Sequence, residues 1–75
     1  MSGTFWQDYR LRFIDFLLDQ YGYFQCDALC NQFGISTPQA SLDIRAYIER
    51  WPTNVEYDNL QRRYVRTATY ERKYP

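Results

Sequence analysis

One segment of the sequence concentrates side chains that can form directional hydrogen bonds with a structured partner: Ser36, Thr37, Gln39, Ser41 and Arg45. The carboxamide offers a donor and an acceptor side by side, the guanidinium offers a fork of donors, and each hydroxyl offers both functions. Leu42 adds an aliphatic surface to the same segment. This mixture suits the recognition of a fixed pattern of polar and methyl groups.

Residues that make or break covalent bonds are sparse. The 75 residues contain no histidine, the commonest general base, and no nucleophile stands beside a base. Cys26 and Cys30 lie one helical turn apart, a spacing with poor geometry for a disulfide and too few ligands for tetrahedral zinc. We therefore expect reduced thiols, no metal, no cofactor, no small-molecule ligand within this chain and no enzymatic activity.

Length and composition indicate one small domain. At 75 residues the core is thin, and an aromatic content of 20% can compensate because aromatic side chains bury large areas. The sequence has no apolar run near the roughly 18 residues that a membrane span needs, and no secretory leader. We expect a soluble cytoplasmic protein that does not contact a membrane.

The formal net charge is zero, but the charges are unevenly distributed. Residues 59–75 hold five basic residues and one acidic residue, whereas residues 1–58 hold four basic and eight acidic ones. A basic end on a neutral chain can form a local patch for anions. Ordinary solvated charge is the alternative interpretation.

Hydrophobic periodicity predicts a first helix over about residues 6–21. Its buried stripe is expected to contain residues 13, 14, 17, 18 and 21. The charged residues, Asp15 among them, fall mostly off this stripe. Gly22 is expected to end the helix as a left-handed cap.

A second, shorter helix is predicted at about residues 26–33, after an extended link at 23–24. Gly34 should end it. Ser36 is a good N-cap for a third helix, which runs to about Arg50 before a proline closes it. Two short helices joined by a glycine-containing turn form a helix-turn-helix pattern.

The outer face of the third helix is expected to hold most of the polar segment: Pro38, Gln39, Leu42, Arg45, Ala46 and Glu49, with Ser41 at the border. After this helix the apolar period changes to two, which predicts strands at about 54–57 and 63–67. The fold class is therefore α+β, with three helices followed by a two-stranded β-hairpin wing. Residues 1–67 form the predicted winged helix-turn-helix domain, and residues 68–75 form a tail or the start of a linker.

The major groove of DNA admits a helix and displays donors, acceptors and thymine methyl groups. In a recognition helix at residues 36–50, Gln39 can pair with adenine, Arg45 can pair with guanine or a phosphate, and Leu42 can meet a thymine methyl. Ser41 can bond to several groups. Asp43 would face an acidic backbone unfavourably, so we expect it to anchor the fold.

Phosphate contacts are expected at two places beside the base contacts. Ser36 and Thr37 stand at a helix N-terminus, where free N–H groups favour an anion. Arg62 and Arg63 fall in the predicted wing, residues 54–67, where guanidinium groups suit phosphates or the minor groove.

Each proposed contact has a structural alternative. Ser36 can serve as a cap alone, and Gln39 three residues later can complete a capping box with it. Leu42 can pack against a partner chain. Arg45 can form an i,i+4 ion pair with Glu49.

The segments FGISTPQASLDIRAYI (33–48) and NVEYDNLQRRYV (54–65) together resemble the N-terminal winged helix-turn-helix domain of WYL-domain transcriptional regulators. The likeness covers about residues 8–67 and is nearest to repressors associated with phage-defence systems such as BREX and CBASS. The DeoR-type helix-turn-helix is a more distant relative. Members of the family continue into sensing domains, so this chain is either an excised domain or a short stand-alone relative.

The resemblance implies sequence-specific binding to double-stranded DNA in a bacterial or phage regulator, as a repressor. It implies a homodimer on an operator with repeated half-sites, with Ser36, Thr37, Gln39 and Ser41 near the DNA. The alternative function is a winged-helix protein–protein interaction module without DNA binding. Zero net charge and the expected exposure of Tyr70 and Tyr74 favour that alternative.

Overall fold

The computed structural model describes residues 2–74, with side chains from Phe5 onward; residues 1 and 75, the ends of the predicted domain and tail, lie outside the described residues. The elements are α1 (Ser2–Tyr21), β1 (Tyr23–Phe24), α2 (Cys26–Phe33), α3 (Thr37–Arg50), β2 (Val55–Asp58) and β3 (Arg63–Arg66). The predicted α+β fold of three helices and a β-hairpin wing is confirmed. Within residues 2–74, none of the helices has both the length and the hydropathy to cross a membrane.

A third strand extends the hairpin into a small sheet of order β1-β3-β2. The segment predicted as an extended link pairs antiparallel with β3, with Tyr23 opposite Val65 and Phe24 opposite Tyr64. Two residues are too few to show a period of two, so the sequence pattern did not reveal this strand. The pairing fixes the base of the hairpin to the end of α1.

The junction between α1 and β1 is closed by a basic side chain from the sheet. Gly22 adopts φ 84° and its N–H donates to the carbonyls of Leu17 and Leu18. The Arg66 guanidinium then donates to the carbonyls of Leu18 and Asp19, both at 3.2 Å. A cation at these last helical carbonyls satisfies orphan acceptors and complements the helix dipole.

The core lies between the three helices and the inner face of the sheet. Its buried apolar residues are Leu11, Ile14, Leu17, Leu18, Phe24, Leu29, Ala40, Ile44, Tyr47 and Val55.

The predicted buried stripe of α1 was partly wrong. Tyr21 is 64% exposed, whereas Asp15 is only 1% exposed. The buried positions Leu11, Ile14, Asp15 and Leu18 follow helical spacing, so a charged residue occupies a core position.

Asp15 is buried with both carboxylate oxygens bonded. Its Oδ1 accepts from the hydroxyls of Tyr47 at 2.5 Å and Tyr70 at 3.2 Å. Its Oδ2 accepts from the backbone N–H groups of Lys73 at 3.0 Å and Tyr74 at 3.1 Å. A buried carboxylate is tolerated when such donors replace its hydration. The carboxylate therefore joins α1, α3 and the C-terminal segment, which we define as residues 70–74.

Asn54 adds a second set of bonds to the C-terminal segment. Its side-chain nitrogen donates to the Tyr47 hydroxyl at 3.1 Å and to the Glu71 carbonyl at 2.9 Å, and its oxygen accepts from the Glu71 N–H at 2.9 Å. Tyr70 and Tyr74, expected to be exposed, are half-buried against the core. The domain boundary predicted after residue 67 remains a prediction.

The tyrosines around Asp15 are stabilised in their protonated form. Burial raises the pKa of Tyr47 above its ordinary value, and its hydrogen bond to Asp15 raises that pKa further. Burial likewise raises the pKa of Tyr70, with the Asp15 carboxylate adding to the effect. Both hydroxyls therefore remain hydrogen-bond donors at neutral pH.

Replacing Asp15 by alanine should lower the free energy of unfolding by about 3 kcal/mol, because it leaves buried hydroxyl and N–H donors without an acceptor. Urea denaturation followed by circular dichroism measures this loss. The control is Asp19→Ala on the same helix, where the carboxylate bonds only an exposed glutamine and the loss should stay below about 0.5 kcal/mol. Equal losses in the two variants would contradict a special role for Asp15.

Candidate nucleic-acid interface

The turn between α2 and α3 has the predicted construction. Gly34 adopts φ 64° and its N–H donates to the Cys30 carbonyl at 2.8 Å, which ends α2. Ser36 is extended, and its hydroxyl accepts from the Gln39 N–H at 3.3 Å. Ser36 is therefore the N-cap of α3, as predicted. The three-residue turn leaves Ser36 and Thr37 exposed at the start of the helix.

The reciprocal hydrogen bond of a capping box, from the Ser36 N–H to the Gln39 side chain, does not form among the described residues. The Gln39 side chain does not reach back to Ser36; its Nε2 donates to Asp43 Oδ1 at 3.2 Å. A hydrogen bond to an ionised acceptor is roughly twice as strong as a neutral one. The i,i+4 spacing also brings the two side chains together on the helix. The interpretation of Gln39 as a capping-box residue was therefore wrong.

Asp43 anchors α3 to α1, as expected. Its side chain is fully buried, and it pairs with Arg10 through Nε at 2.5 Å and Nη2 at 3.2 Å. The amide of Gln7 lies 3.5 Å from the same carboxylate. The ion pair fixes the inner side of α3 one turn before Tyr47 meets Asp15.

The outer face of α3 is open to solvent along its length: Thr37, Pro38, Ser41, Leu42, Arg45 and Glu49 are exposed. Thr37, Ser41 and Arg45 succeed one another at four-residue spacing, so their side chains form one row. Gln39 is half-buried at the edge of this face. The structure thus brings the six candidate residues of α3 and its cap to one side of the molecule.

The alternative ion pair between Arg45 and Glu49 does not form. Among the described residues, Arg45 has no hydrogen bond or salt bridge, whereas Arg50 in the last turn pairs with Asp8 at 3.1 Å. The Arg45 guanidinium is therefore available to an external anion or base. Leu42, next to it on the face, is 55% exposed.

The two cysteines pack where α2 meets the start of α3. Cys26 Sγ lies 4.0 Å from the Thr37 carbonyl, and Cys30 Sγ lies 3.9 Å from the Thr37 hydroxyl. Both thiols are free, and burial raises the pKa of Cys26, with Cys30 adding to the rise. Free cysteines of this kind act as small packing groups beside the first turn of α3.

The tip of the β2–β3 hairpin is a shaped turn. Asp58 Oδ1 accepts from the N–H groups of Leu60 at 3.0 Å and Gln61 at 3.2 Å, and Arg62 adopts φ 56°. Leu60 is 95% exposed at the tip. Gln25, just before α2, donates through Nε2 to the Arg62 carbonyl at 3.2 Å. The tip is therefore fixed to the start of α2.

The two candidate wing arginines have different positions. Arg62 lies in the turn with an exposed side chain. Arg63 is the first residue of β3, and its guanidinium carbon stands 4.0 Å from the ring centroid of Tyr23. The attraction between a cation and an aromatic ring favours this position of the Arg63 guanidinium. The structure therefore brings Arg62, and not Arg63, to the tip of the hairpin.

The hairpin tip and the start of α3 both lie next to the start of α2. Gln25 connects the tip to the start of α2, and the neighbouring Cys26 contacts Thr37 at the start of α3. We define the recognition surface as the exposed residues that this arrangement collects: Ser36, Thr37, Ser41, Leu42, Arg45, Arg62 and Gln39 at its edge.

Two residues that lie next to the recognition surface were not predicted from the sequence. Gln25 carries no cap hydrogen bond and gave no signal beyond its position before α2. Leu60 is exposed at the tip, but an isolated leucine in a loop does not predict a binding role, whereas the arginines that follow it do. The link between Gln39 and Asp43 had a detectable signal, because glutamine and aspartate at i,i+4 spacing form a known helical pair.

Two helices joined by a glycine turn, with a β-hairpin beside the second helix, define the class of winged helix-turn-helix domains. The sequence of residues 7–74 matches the protein family described as the BrxR transcriptional regulator winged helix-turn-helix domain. The chain belongs to this family, which confirms the resemblance drawn from the sequence.

Curated relatives carry the same domain. The chain is 42% identical over 75 residues to the DNA-binding transcriptional repressor CapW of Pseudomonas aeruginosa, covering 99% of this chain and 25% of that protein. It is 42% identical over 74 residues to CapW of Escherichia coli (strain KTE188), covering 97% of this chain and 25% of that protein. For CapW of Stenotrophomonas maltophilia the identity is 38% over 65 residues, covering 87% and 22%. The chain thus spans about a quarter of the length of these relatives.

The Ser36 cap should contribute measurably to stability. Ser36→Ala removes the acceptor for the Gln39 N–H and should lower the free energy of unfolding by about 1 kcal/mol. Ser41→Ala is the matched control, because Ser41 is exposed within the helix and alanine favours helix formation, so its effect should be within about 0.5 kcal/mol. Urea titration of both variants tests this; a larger loss for Ser41→Ala would contradict the assignment of the cap.

Proposed function

We propose that this domain binds double-stranded DNA sequence-specifically, as the DNA-binding part of a bacterial or phage transcriptional repressor acting in the cytoplasm. Helix α3 enters the major groove, and the β2–β3 hairpin lies against the backbone or the minor groove. The observation that carries the proposal is the exposed row of α3 beside a fixed hairpin tip. The CapW relatives are DNA-binding transcriptional repressors, which supports the proposal.

Base contacts in this proposal come from four side chains of α3. Gln39 pairs with adenine, Arg45 pairs with guanine, and Leu42 meets a thymine methyl. Ser41 lies between Thr37 and Arg45 in the exposed row and bonds to whichever base edge faces it. The free guanidinium of Arg45 supports its part in this list, because no internal partner has to be displaced within the described chain.

Backbone contacts come from the ends of the recognition surface. Ser36 and Thr37 stand at the N-terminus of α3, where the helix dipole and free N–H groups favour a phosphate. Arg62 projects from the hairpin tip toward a second phosphate or the minor groove. Arg63, the other predicted wing contact, is left out of this set because its guanidinium lies over the ring of Tyr23. These contacts orient α3 and carry little sequence information.

Tight binding requires more than one copy of the domain. A single recognition surface of this size reads few base pairs, and helix-turn-helix proteins commonly bind as dimers on half-sites about one helical turn apart. We therefore propose a homodimer on an operator with repeated half-sites. Sizing of the protein alone and with operator DNA tests this part of the proposal.

A protein-interaction module remains the second candidate, and one observation favours it. Phe5, Trp6, Tyr9 and Phe16 are exposed along α1, and the rings of the first three succeed one another with centroids 5.2 and 6.3 Å apart. Large exposed apolar patches often mark interaction sites. Stable self-association without any binding to random or palindromic duplexes would favour this candidate over DNA binding.

Binding to the preferred duplex should fall steeply with salt, and Arg45→Ala should weaken it about 10-fold because a guanidinium contact to a base or phosphate is lost. Arg50→Ala is the matched control on the same helix, since Arg50 pairs with Asp8 away from the exposed row. The affinity of the Arg50→Ala variant for the preferred duplex should stay within about twofold of wild type. Fluorescence anisotropy with labelled duplex measures both, and equal effects in the two variants would contradict the proposed docking of α3.

Alanine substitutions at the two wing arginines should have different effects, one on the salt dependence of DNA binding and the other on stability. Arg62→Ala should reduce the slope of log affinity against log salt by about 1, because one phosphate contact is lost. Arg63→Ala should leave that slope nearly unchanged and lower stability by roughly 1 kcal/mol through the lost contact with Tyr23. A salt series and urea denaturation on both variants measure the two effects. An unchanged slope in Arg62→Ala would remove Arg62 from the interface.

A further inference from the structure

The Gln39 amide has a defined orientation before any DNA is bound. Its nitrogen lies 3.2 Å from Asp43 Oδ1, and Asp43 is fully buried. A carboxylate accepts hydrogen bonds and donates none, so the nitrogen of the amide, and not its oxygen, must face it. Gln39 thus presents one carbonyl oxygen and one remaining N–H away from Asp43.

The acceptor that holds Gln39 is itself fixed. Arg10 of α1 grips both carboxylate oxygens of Asp43, at 2.5 and 3.2 Å. The paired side chains of Asp43 and Arg10 are 0% and 15% exposed. Neither partner can rotate without breaking a charge-assisted bond in a poorly solvated site. Gln39 is therefore the outermost member of a rigid chain of bonds that starts on α1.

We propose that Asp43 is a positioning residue for base readout, which rests on the proposed function. By holding one N–H of Gln39, it leaves the other N–H and the carbonyl oxygen as a donor–acceptor pair of fixed order at the edge of the recognition surface. Adenine presents the matching acceptor and donor at N7 and N6 in the major groove. Asp43, which touches no DNA, thereby sets the base that Gln39 accepts.

The physical effect is on discrimination more than on strength. A free glutamine amide can turn over, exchanging its donor and acceptor, and so can adjust to several bases. An amide held by Asp43 cannot turn over to fit a mismatched base, so a polar group of the amide or of the base is left without a hydrogen bond. The free energy lost through that unpaired group is what discriminates between bases. The held side chain also loses less rotamer freedom on binding.

The test begins by selecting the preferred duplex from a random pool with the wild-type protein, then varying one base pair at a time. Gln39→Ala identifies the base pair whose preference depends on Gln39. At that position, Asp43→Asn should reduce the preference for adenine at least 5-fold, because asparagine can both donate and accept and lets the amide turn over. Affinity for a random duplex should change less than twofold. Asp27→Asn, an exposed acid of α2, is the matched control and should leave the preference intact.

A double-mutant cycle separates positioning from general damage. In the Gln39→Ala background, Asp43→Asn should cause no further loss of base preference, since the group it positions is gone. A folded Asp43→Asn variant that keeps the full adenine preference would overturn the proposal. Loss of preference that is equally large with and without Gln39 would overturn it as well.

A measurement on the wild-type protein covers the case in which Asp43→Asn does not fold. Relaxation of the side-chain amide nitrogens by NMR, without DNA, should show Gln39 nearly as rigid as the backbone and the exposed Gln61 mobile. Equal mobility of the two amides would overturn the proposal. If the wild-type protein shows no preference among duplexes at all, the proposed function itself fails, a result distinct from loss of the coupling alone.

Discussion

The buried carboxylate of Asp15 is the interaction on which the arrangement of this domain depends. It collects donors from α3, through Tyr47, and from the C-terminal segment, through Tyr70, Lys73 and Tyr74. A carboxylate without water is unfavourable unless such donors are all in place, so the site tolerates one arrangement of these elements and penalises the others. The helix that carries the recognition surface is thereby held in one orientation.

A second acid completes this hold on α3. Asp43 lies one turn before Tyr47 and pairs with Arg10, so α1 binds the inner side of α3 through polar contacts at Asp43 and Tyr47 as well as through apolar packing. Apart from the cap at Ser36 and the bond from Gln39 to Asp43 at its edge, the outer side carries no comparable internal bonds among the described residues. A rigid inner side and a free outer side are what a helix needs if it is to present side chains to another molecule in a fixed geometry.

Local signals in the sequence were sufficient for most of the fold. Gly34 and Ser36 marked the turn before α3, and period-two alternation marked the hairpin, because these patterns depend on neighbouring residues. The missed features depend on partners far along the chain: Asp15 bonds residues 32 to 59 positions away, and β1 is defined by its pairing with β3. At the candidate site, residue types predicted the exposed row of α3, whereas the orientation of Gln39 followed from Arg10 and Asp43, which composition and period do not connect.

The donors for Asp15 are synthesised at different times during translation. The three helices are synthesised first, yet the last two N–H groups that satisfy the carboxylate belong to residues 73 and 74. At ~5–20 residues per second, roughly one to five seconds separate the synthesis of Tyr47 from that of Tyr74. The carboxylate that joins α1 to α3 can therefore gain its full set of donors only after residues 73 and 74 have been synthesised.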